Sequence, residues 1–180
     1  MEPDARREEI LVAAERILRR SAANDVRVED IVREAGAAKG TFYLYFPSFD
    51  ALLVALRERV FVEFDARYPL PAAVKDWSRL SDFLAAGFVD FTLGLGGLHH
   101  ALFHGTAMQA LESFGAVSRI AAFIEAGMKA GAFTKLDAQP VARLTFAMLH
   151  EAVDAIEAGE DRPRVLRSLH KVFHRILLAR

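Results

Sequence analysis

Residues 39–46 bring together side chains that can bind nucleic acid on one short segment. Lys39 can reach a phosphate, and Gly40 has no side chain to hold the backbone away from a neighbouring surface. Leu44 can contact only an apolar edge, such as a thymine methyl group. Three further residues offer hydroxyl groups: Thr41, Tyr43 and Tyr45. This combination predicts a short DNA-contacting helix, although taken alone so aromatic a segment also fits the core of a small helical bundle.

Three closely spaced histidines, His99, His100 and His104, form a second group that could do chemistry. Histidines four residues apart share a helix face and can bind one metal ion, but there is no HExxH motif and a third ligand would have to come from elsewhere, such as His150. We therefore interpret them as core or pocket histidines that bond a neighbour or an effector, and predict no metal site. An enzyme that used His100, His104 and Glu112 would lack an activated nucleophile, so neither an enzymatic function nor a cofactor is predicted.

Composition narrows the class of protein. The 180 residues are 53% apolar and 26% charged, which excludes a disordered chain and leaves apolar surface for a dimer interface. Without cysteine there can be no disulfide, thiolate nucleophile or Cys-ligated zinc. The N-terminus has no signal core and Asp90 interrupts the apolar stretch 83–98, so we expect a cytoplasmic protein with no membrane contact.

Charge places a condition on DNA binding. The net charge is −1, and residues 1–60 contain ten Lys or Arg against eleven Asp or Glu. Overall charge therefore supplies no general attraction to phosphate, and any DNA contact must come from a locally organised surface.

Helical periodicity dominates, which predicts an all-α fold of about nine helices. A helix is expected over residues 29–35, with Gly36 at its left-handed stop, followed by the segment 39–46 that Pro47 ends. Phe42 and Phe46 are expected to face the core. Ser48 should cap a fourth helix that runs to about Arg67.

Further helices are expected beyond Pro71, near 98–104, in a segment ending near Lys129 with Gly131 as its stop, from Asp137 to about 158, and from Asp161 with Pro163 to the C-terminus. His170 and His174 in the last helix are expected at the surface.

The segment from Val28 to Leu53 resembles the TetR family of bacterial regulators. The resemblance rests on Ile31, Ala35-Gly36, Gly40-Thr41-Phe42-Tyr43, Tyr45-Phe46 and Leu52-Leu53, all at matching spacing. It covers residues 8–60 in detail and the remainder only in helix count and length.

This resemblance implies an N-terminal three-helix helix-turn-helix DNA-binding domain, residues 4–65, continuous with a larger helical domain, residues 66–180, that binds a small-molecule effector and dimerises. The implied function is a one-component regulator, a repressor released from a palindromic operator by a small apolar effector. The implied DNA contacts are Arg27, Lys39, Gly40, Thr41, Tyr43, Leu44 and Tyr45.

Three departures from the family pattern support an alternative. Val28 replaces a capping Thr, Ala38 replaces a Ser that caps the recognition helix, and Phe49 replaces a Lys near the DNA backbone. The alternative is a helical small-molecule-binding module that has lost operator recognition.

Two further sets of residues are predicted, one for the effector pocket and one for the dimer interface. Aromatic stripes are more often plain core than pocket, but some of these residues should line the effector pocket: Phe64, Tyr68, Trp77, Phe88, Phe91, His100, Phe103, His104, Met108 and His150. The resemblance implies a homodimer through the last two helices, with Leu144, Met148, Ala152, Leu166, Leu169, Phe173 and Ile176 at the interface, although both faces could instead be buried within one subunit.

Overall fold

A computed structural model describes residues 3–21, 26–104 and 114–178. Met108 and Glu112 lie outside these described residues. Within them the chain forms nine helices: α1 (Pro3–Arg20), α2 (Val28–Glu34), α3 (Lys39–Tyr45), α4 (Phe49–Arg67), α5 (Trp77–Leu93), α6 (Gly97–Phe103), α7 (Phe114–Lys129), α8 (Ala138–Glu157) and α9 (Arg162–Leu177). The predicted all-α fold class is confirmed.

Local stop and start signals account for most helix ends. Gly36 and Gly131 adopt positive φ angles of 59° and 72° after α2 and α7, as predicted. The Ser48 hydroxyl accepts a hydrogen bond from the Ala51 N–H at 3.1 Å, and the Asp161 carboxylate accepts one from the Arg164 N–H at 2.9 Å. These side chains satisfy N–H groups that the first helical turn leaves unpaired.

The chain packs as two compact units, and the division falls within α4. Unit 1 comprises Met1–Glu63 with Leu95–Glu112 and holds the helix-turn-helix. Its α6 packs against α1, although a contiguous reading of the chain would group α6 with the later helices. The functional division into residues 4–65 and 66–180 remains a proposal. The core of unit 1 includes Ile10, Ala14, Leu18, Ile31, Phe42, Phe46, Leu52, Leu56 and Leu98.

Unit 2 comprises Phe64–Gly94 with Ser113–Arg180, and α8 packs against α5, α7 and α9 within it. Arg162 binds the Asp90 carboxylate with two hydrogen bonds of 2.8 and 2.7 Å, which joins the start of α9 to α5. The Thr134 N–H donates to the Leu177 carbonyl at 2.8 Å, which fixes the end of α9. None of the described helices is long and apolar enough to cross a bilayer.

Candidate DNA interface and effector region

Helix α3 exposes four of its six residues that the sequence predicts to meet DNA. Lys39 and Gly40 are exposed, Tyr43 is 49% exposed and Leu44 is 81% exposed. Thr41 and Tyr45 are half-buried beside them. We call the exposed set Lys39, Gly40, Tyr43 and Leu44 the recognition face. At this exposure Leu44 adds little to the core of unit 1, and its side chain is accessible to a partner surface.

The opposite side of α3 fixes its position in unit 1. Phe42 and Phe46 are almost fully buried, and their ring centroids are 5.6 Å apart. The Arg7 guanidinium lies 5.1 Å from the Phe46 ring centroid, a cation–π contact that joins α1 to the end of α3. The expectation that Phe42 and Phe46 face the core is confirmed.

Gly40 has no packing role inside the unit. A Cβ built on it would meet no atom within 4 Å, and its φ angle is not positive. Neither internal space nor backbone conformation therefore requires glycine here. A side chain at this position would extend into open space, toward anything that approaches α3 from outside.

Lys39 is engaged within the helix-turn-helix itself. Its ammonium nitrogen lies 2.5 Å from a Glu29 carboxylate oxygen. The hydrogen bond from Lys39 holds the pKa of the Glu29 carboxyl below its usual value, and the same bond raises the pKa of Lys39. Both side chains are more than half exposed, so a phosphate can compete with Glu29 for the ammonium group.

The start of α2 uses its own backbone and Asp30 in place of a capping hydroxyl. The Arg27 N–H donates to the Asp30 carboxylate at 3.1 Å, and Arg33 donates to the same carboxylate at 2.5 Å. The bond from the Arg27 backbone holds the pKa of Asp30 below its usual range. The Arg27 side chain is exposed. Ala38 gives α3 no side-chain cap, as its residue type predicts.

The residues predicted for the effector pocket separate into distinct groups. In unit 2, Phe64 packs against Tyr68, Phe88 and Phe91 at centroid distances of 4.9, 5.8 and 5.5 Å. His150 lies 5.3 Å from Phe88 in the same group. Trp77 instead packs with Phe123 and Phe133, whereas Phe103, His100 and His104 belong to unit 1.

Phe83 and Phe146 also belong to this group of rings, although the sequence analysis did not predict them as pocket residues. The Phe146 ring lies 4.4 Å from His150 and 6.0 Å from Phe88, while Phe83 lies 5.6 Å from Tyr68. We call Phe64, Tyr68, Phe83, Phe88, Phe91, Phe146 and His150 the aromatic cluster. The spacing of Phe146 and His150, four residues on one helix, is the signal that could have found Phe146.

Gly87 makes room for one ring of the aromatic cluster. A Cβ at Gly87 would lie 2.4 Å from a carbon of the Tyr68 ring. The phenol therefore packs directly on the backbone of α5. The Tyr68 ring therefore packs tightly against α5, and this packing is possible only because residue 87 has no side chain.

The residues predicted for the dimer interface differ in exposure. Ala152, Leu166, Leu169 and Phe173 are buried within the chain, where they form the core between α8 and its neighbours. Leu144 is 64% exposed, Ile176 is 37% exposed and Met148 is half-buried. Val172, which was not among the predicted interface residues, is exposed on the same helix as Ile176. We call Leu144, Met148, Val172 and Ile176 the α8/α9 apolar stripe.

The two histidines of α9 are more enclosed than expected. His174 Nε2 lies 2.8 Å from an Asp82 carboxylate oxygen and 3.1 Å from the Ser78 hydroxyl, and His170 Nδ1 lies 3.6 Å from the same carboxylate. Both rings are half-buried against α5. Sequence spacing alone could not show that Asp82 faces them, because the pairing joins distant parts of the chain.

Comparison with known proteins agrees with this geometry. The family model of the tetR family of bacterial regulatory proteins matches residues 10–56. The transcriptional regulator EthR of Mycobacterium tuberculosis is 42% identical over 57 residues, which are 32% of this chain and 26% of EthR. The match thus spans about a quarter of that relative's length.

Two solved structures share the fold over nearly the whole chain. RolR in complex with its ligand resorcinol superposes with a TM-score of 0.76 at 20% identity, over 94% of this chain and 88% of RolR. A TetR transcription regulator from Haloarcula marismortui gives a TM-score of 0.70 at 20% identity, over 97% and 99%. At these identities the likeness shows the fold alone. The match to the tetR family of bacterial regulatory proteins is thus confined to the helix-turn-helix segment, residues 10–56, and the chain as a whole shares the fold of the solved structures.

Proposed function

We propose that the chain is a one-component transcriptional regulator that binds operator DNA through α3. The recognition face carries the proposal, because it exposes Tyr43 and Leu44 while the other side of the same short helix is anchored in the core. A major-groove helix needs this arrangement, with an exposed reading face and a rigid support.

Each residue of the interface has a proposed role. Lys39 and Arg27 contact phosphates and set the position of the helix on the duplex. Tyr43 and Leu44 meet base edges, with Leu44 suited to a thymine methyl group. Gly40 allows the DNA backbone to approach α3 closely. Thr41 and Tyr45 add hydroxyl groups at the side of the interface.

The regulator acts as a homodimer on a palindromic operator. The α8/α9 apolar stripe supports this part of the proposal, because Leu144 alone exposes 64% of its surface on a helix that otherwise packs well. A twofold interface built from this stripe presents two recognition faces, which read two half-sites.

The effector is a small apolar molecule that binds at the aromatic cluster and releases the protein from its operator, which makes the regulator a repressor. The cluster combines aromatic rings with the buried imidazole of His150, and these are the residue types that line most small-molecule sites. RolR, which shares the fold, binds the small aromatic resorcinol. The effector must favour the state that does not bind DNA, since only differential affinity moves the equilibrium.

Two specific observations favour an alternative function. Ala38 leaves α3 without a side-chain cap, and Lys39 already forms an ion pair with Glu29. These features favour a small-molecule-binding module that has lost operator recognition. The recognition face is the observation against it, because Lys39, Gly40, Tyr43 and Leu44 are exposed together on one short helix whose other side is anchored in the core.

Fluorescence anisotropy with DNA from just upstream of the reading frame tests the proposal at two salt concentrations. We expect selective binding that weakens with salt and falls roughly 5- to 150-fold in Tyr43→Ala, since one base-edge contact contributes about 1–3 kcal/mol. Tyr43→Phe separates the hydroxyl from the ring, and Leu70→Ala is a matched control because Leu70 is similarly exposed but lies outside α3. Equal binding to scrambled DNA would favour the alternative.

The effector is tested with a panel of small phenols that includes resorcinol. A phenol that binds the aromatic cluster should lower operator affinity, and the operator should lower the affinity for that phenol by the same factor. A phenol that binds without changing operator affinity would refute the proposed coupling.

A further inference from the structure

The three histidines at the end of α6 come together in space. The ring centroids of His99 and His100 are 5.3 Å apart, and His104 lies 4.9 Å from each. One ring nitrogen from each residue lies within 4.8 Å of the other two. His99 thus supplies a third donor, whereas His150, the candidate that the sequence suggested, packs in unit 2.

We propose that His99, His100 and His104 bind one late first-row divalent metal ion of the zinc, cobalt, nickel or copper type. Imidazole nitrogen is the donor that these ions prefer, whereas magnesium and calcium require oxygen ligands. An ion bound tetrahedrally at about 2.0–2.1 Å from each nitrogen brings the nitrogens to about 3.3 Å from one another. Rotation of the two exposed rings supplies this small approach.

The backbone beneath the histidines is fixed at the start of α6. Gly96 has φ 56° and ψ −135°, a conformation that strongly favours glycine. A Cβ at Gly97 would lie 2.2 Å from the Ser21 carbonyl oxygen and 2.5 Å from that of Leu18. The two glycines therefore let α6 lie directly on the end of α1, and no side chain separates them.

The other end of α6 is held from α4. Arg57 is buried and donates a hydrogen bond to the Leu102 carbonyl at 2.8 Å, and its guanidinium lies 5.9 Å from the Phe103 ring centroid. Burial lowers the pKa of this guanidinium from its usual value. The His104 N–H closes the last turn on the His100 carbonyl at 3.0 Å. Both ends of α6 are thus fixed before any ion binds, which lowers the entropic cost of assembling the three donors.

Exposure gives the ion a route to the site. His99 is fully buried, whereas His100 and His104 are exposed. The ion approaches from solvent, binds the two outer rings and reaches His99 as its inner ligand. Three protein ligands leave a fourth position for water or another small ligand.

The test uses tag-free full-length protein, freed of metal by a chelator and studied without DNA. The protein contains six histidines, so each histidine group must be examined separately. Zn²⁺ is titrated in competition with a chromophoric chelator, and Co²⁺ binding is followed by its visible absorption. The variant is His100→Ala with His104→Ala, whose side chains are exposed and leave the core intact. The matched control is His170→Ala with His174→Ala, a pair with the same spacing on α9.

We expect one Zn²⁺ per chain and a Co²⁺ spectrum of tetrahedral or five-coordinate type. The His100/His104 variant should lose affinity by more than the roughly 10–100-fold that loss of an outer-shell partner costs. The His170/His174 variant should bind as the parent protein does. Substoichiometric Zn²⁺ binding, or equal loss in the two variants, would overturn the proposal. Because no DNA is present, failure here is independent of the proposed regulatory function.

Discussion

Replacing Gly40 with alanine should separate stability from DNA binding. The backbone of Gly40 is helical and a Cβ there meets nothing within 4 Å, so alanine fits without strain. Alanine in place of glycine stabilises a helix interior by about 0.8–1 kcal/mol, and less in the first turn. We take about 0.5 kcal/mol, which raises the unfolding temperature by about 1–2 °C for a chain of this length.

The same methyl group should weaken operator binding. It extends from the recognition face at the point where we place the DNA backbone. A loss of about 1–3 kcal/mol at this contact corresponds to a roughly 5- to 150-fold fall in affinity, since about 1.4 kcal/mol is tenfold. A protein that becomes more stable while it loses DNA affinity cannot have lost that affinity by unfolding.

Gly131→Ala provides the reverse control. Gly131 has φ +72° and open space around it, so alanine costs about 1–2 kcal/mol through backbone strain alone. It lies at the end of α7, in unit 2. Circular dichroism melting and operator anisotropy on both variants should therefore give opposite patterns. If Gly40→Ala binds the operator as tightly as the parent, the DNA backbone does not approach α3 at Gly40 and the proposed docking is wrong.

Three further changes test other parts of the molecule. Glu29→Gln should tighten operator binding severalfold at low salt in anisotropy titrations, because it frees Lys39; at pH 7 Glu29 is fully ionised, since its pKa is lowered, and its competition with phosphate is lost only as the pH falls through that lowered pKa. Unchanged or weaker binding would show that Lys39 does not contact phosphate. Leu144→Asp should convert a dimer into a folded monomer in light scattering, because it places a charge in the α8/α9 apolar stripe; a dimer that survives would place the interface elsewhere. Gly87→Ala should destabilise the protein by about 1–3 kcal/mol through overpacking against Tyr68, and Tyr68→Ala in the same chain should relieve most of that loss in thermal unfolding. Additive losses would show that the two residues do not compete for space.

Features that depend on neighbours in sequence were predictable. The stops at Gly36 and Gly131 and the caps at Ser48 and Asp161 each require one residue type at one backbone position. The alternation of core and exposed residues along α3 follows equally from helix geometry, so the amino-acid sequence alone assigns Phe42 to the core and Tyr43 to the surface.

Contacts between distant residues were not predictable in the same way. The pairing of Lys39 with Glu29 depends on how closely α2 and α3 approach each other, and no periodicity encodes that distance. The aromatic residues show the same limit. Phe88 and Trp77 lie on the same helix, yet they pack in different groups because they meet different neighbouring helices. Apolar residues at helical spacing in the sequence indicate which side chains are buried, but not which side chains they contact.

The packing of helix α6 also bears on function. Its position in the sequence, shortly after α5, groups its histidines with the effector region, but Gly96 and Gly97 let α6 pack on α1. The proposed metal site therefore shares a compact unit with the recognition face. Two sites in one unit are coupled only if the ion has different affinities for the DNA-bound and free states. By linkage, operator DNA must then change the affinity for Zn²⁺ by the factor by which Zn²⁺ changes the affinity for DNA, so a single pair of titrations decides whether the ion regulates the protein or only stabilises α6.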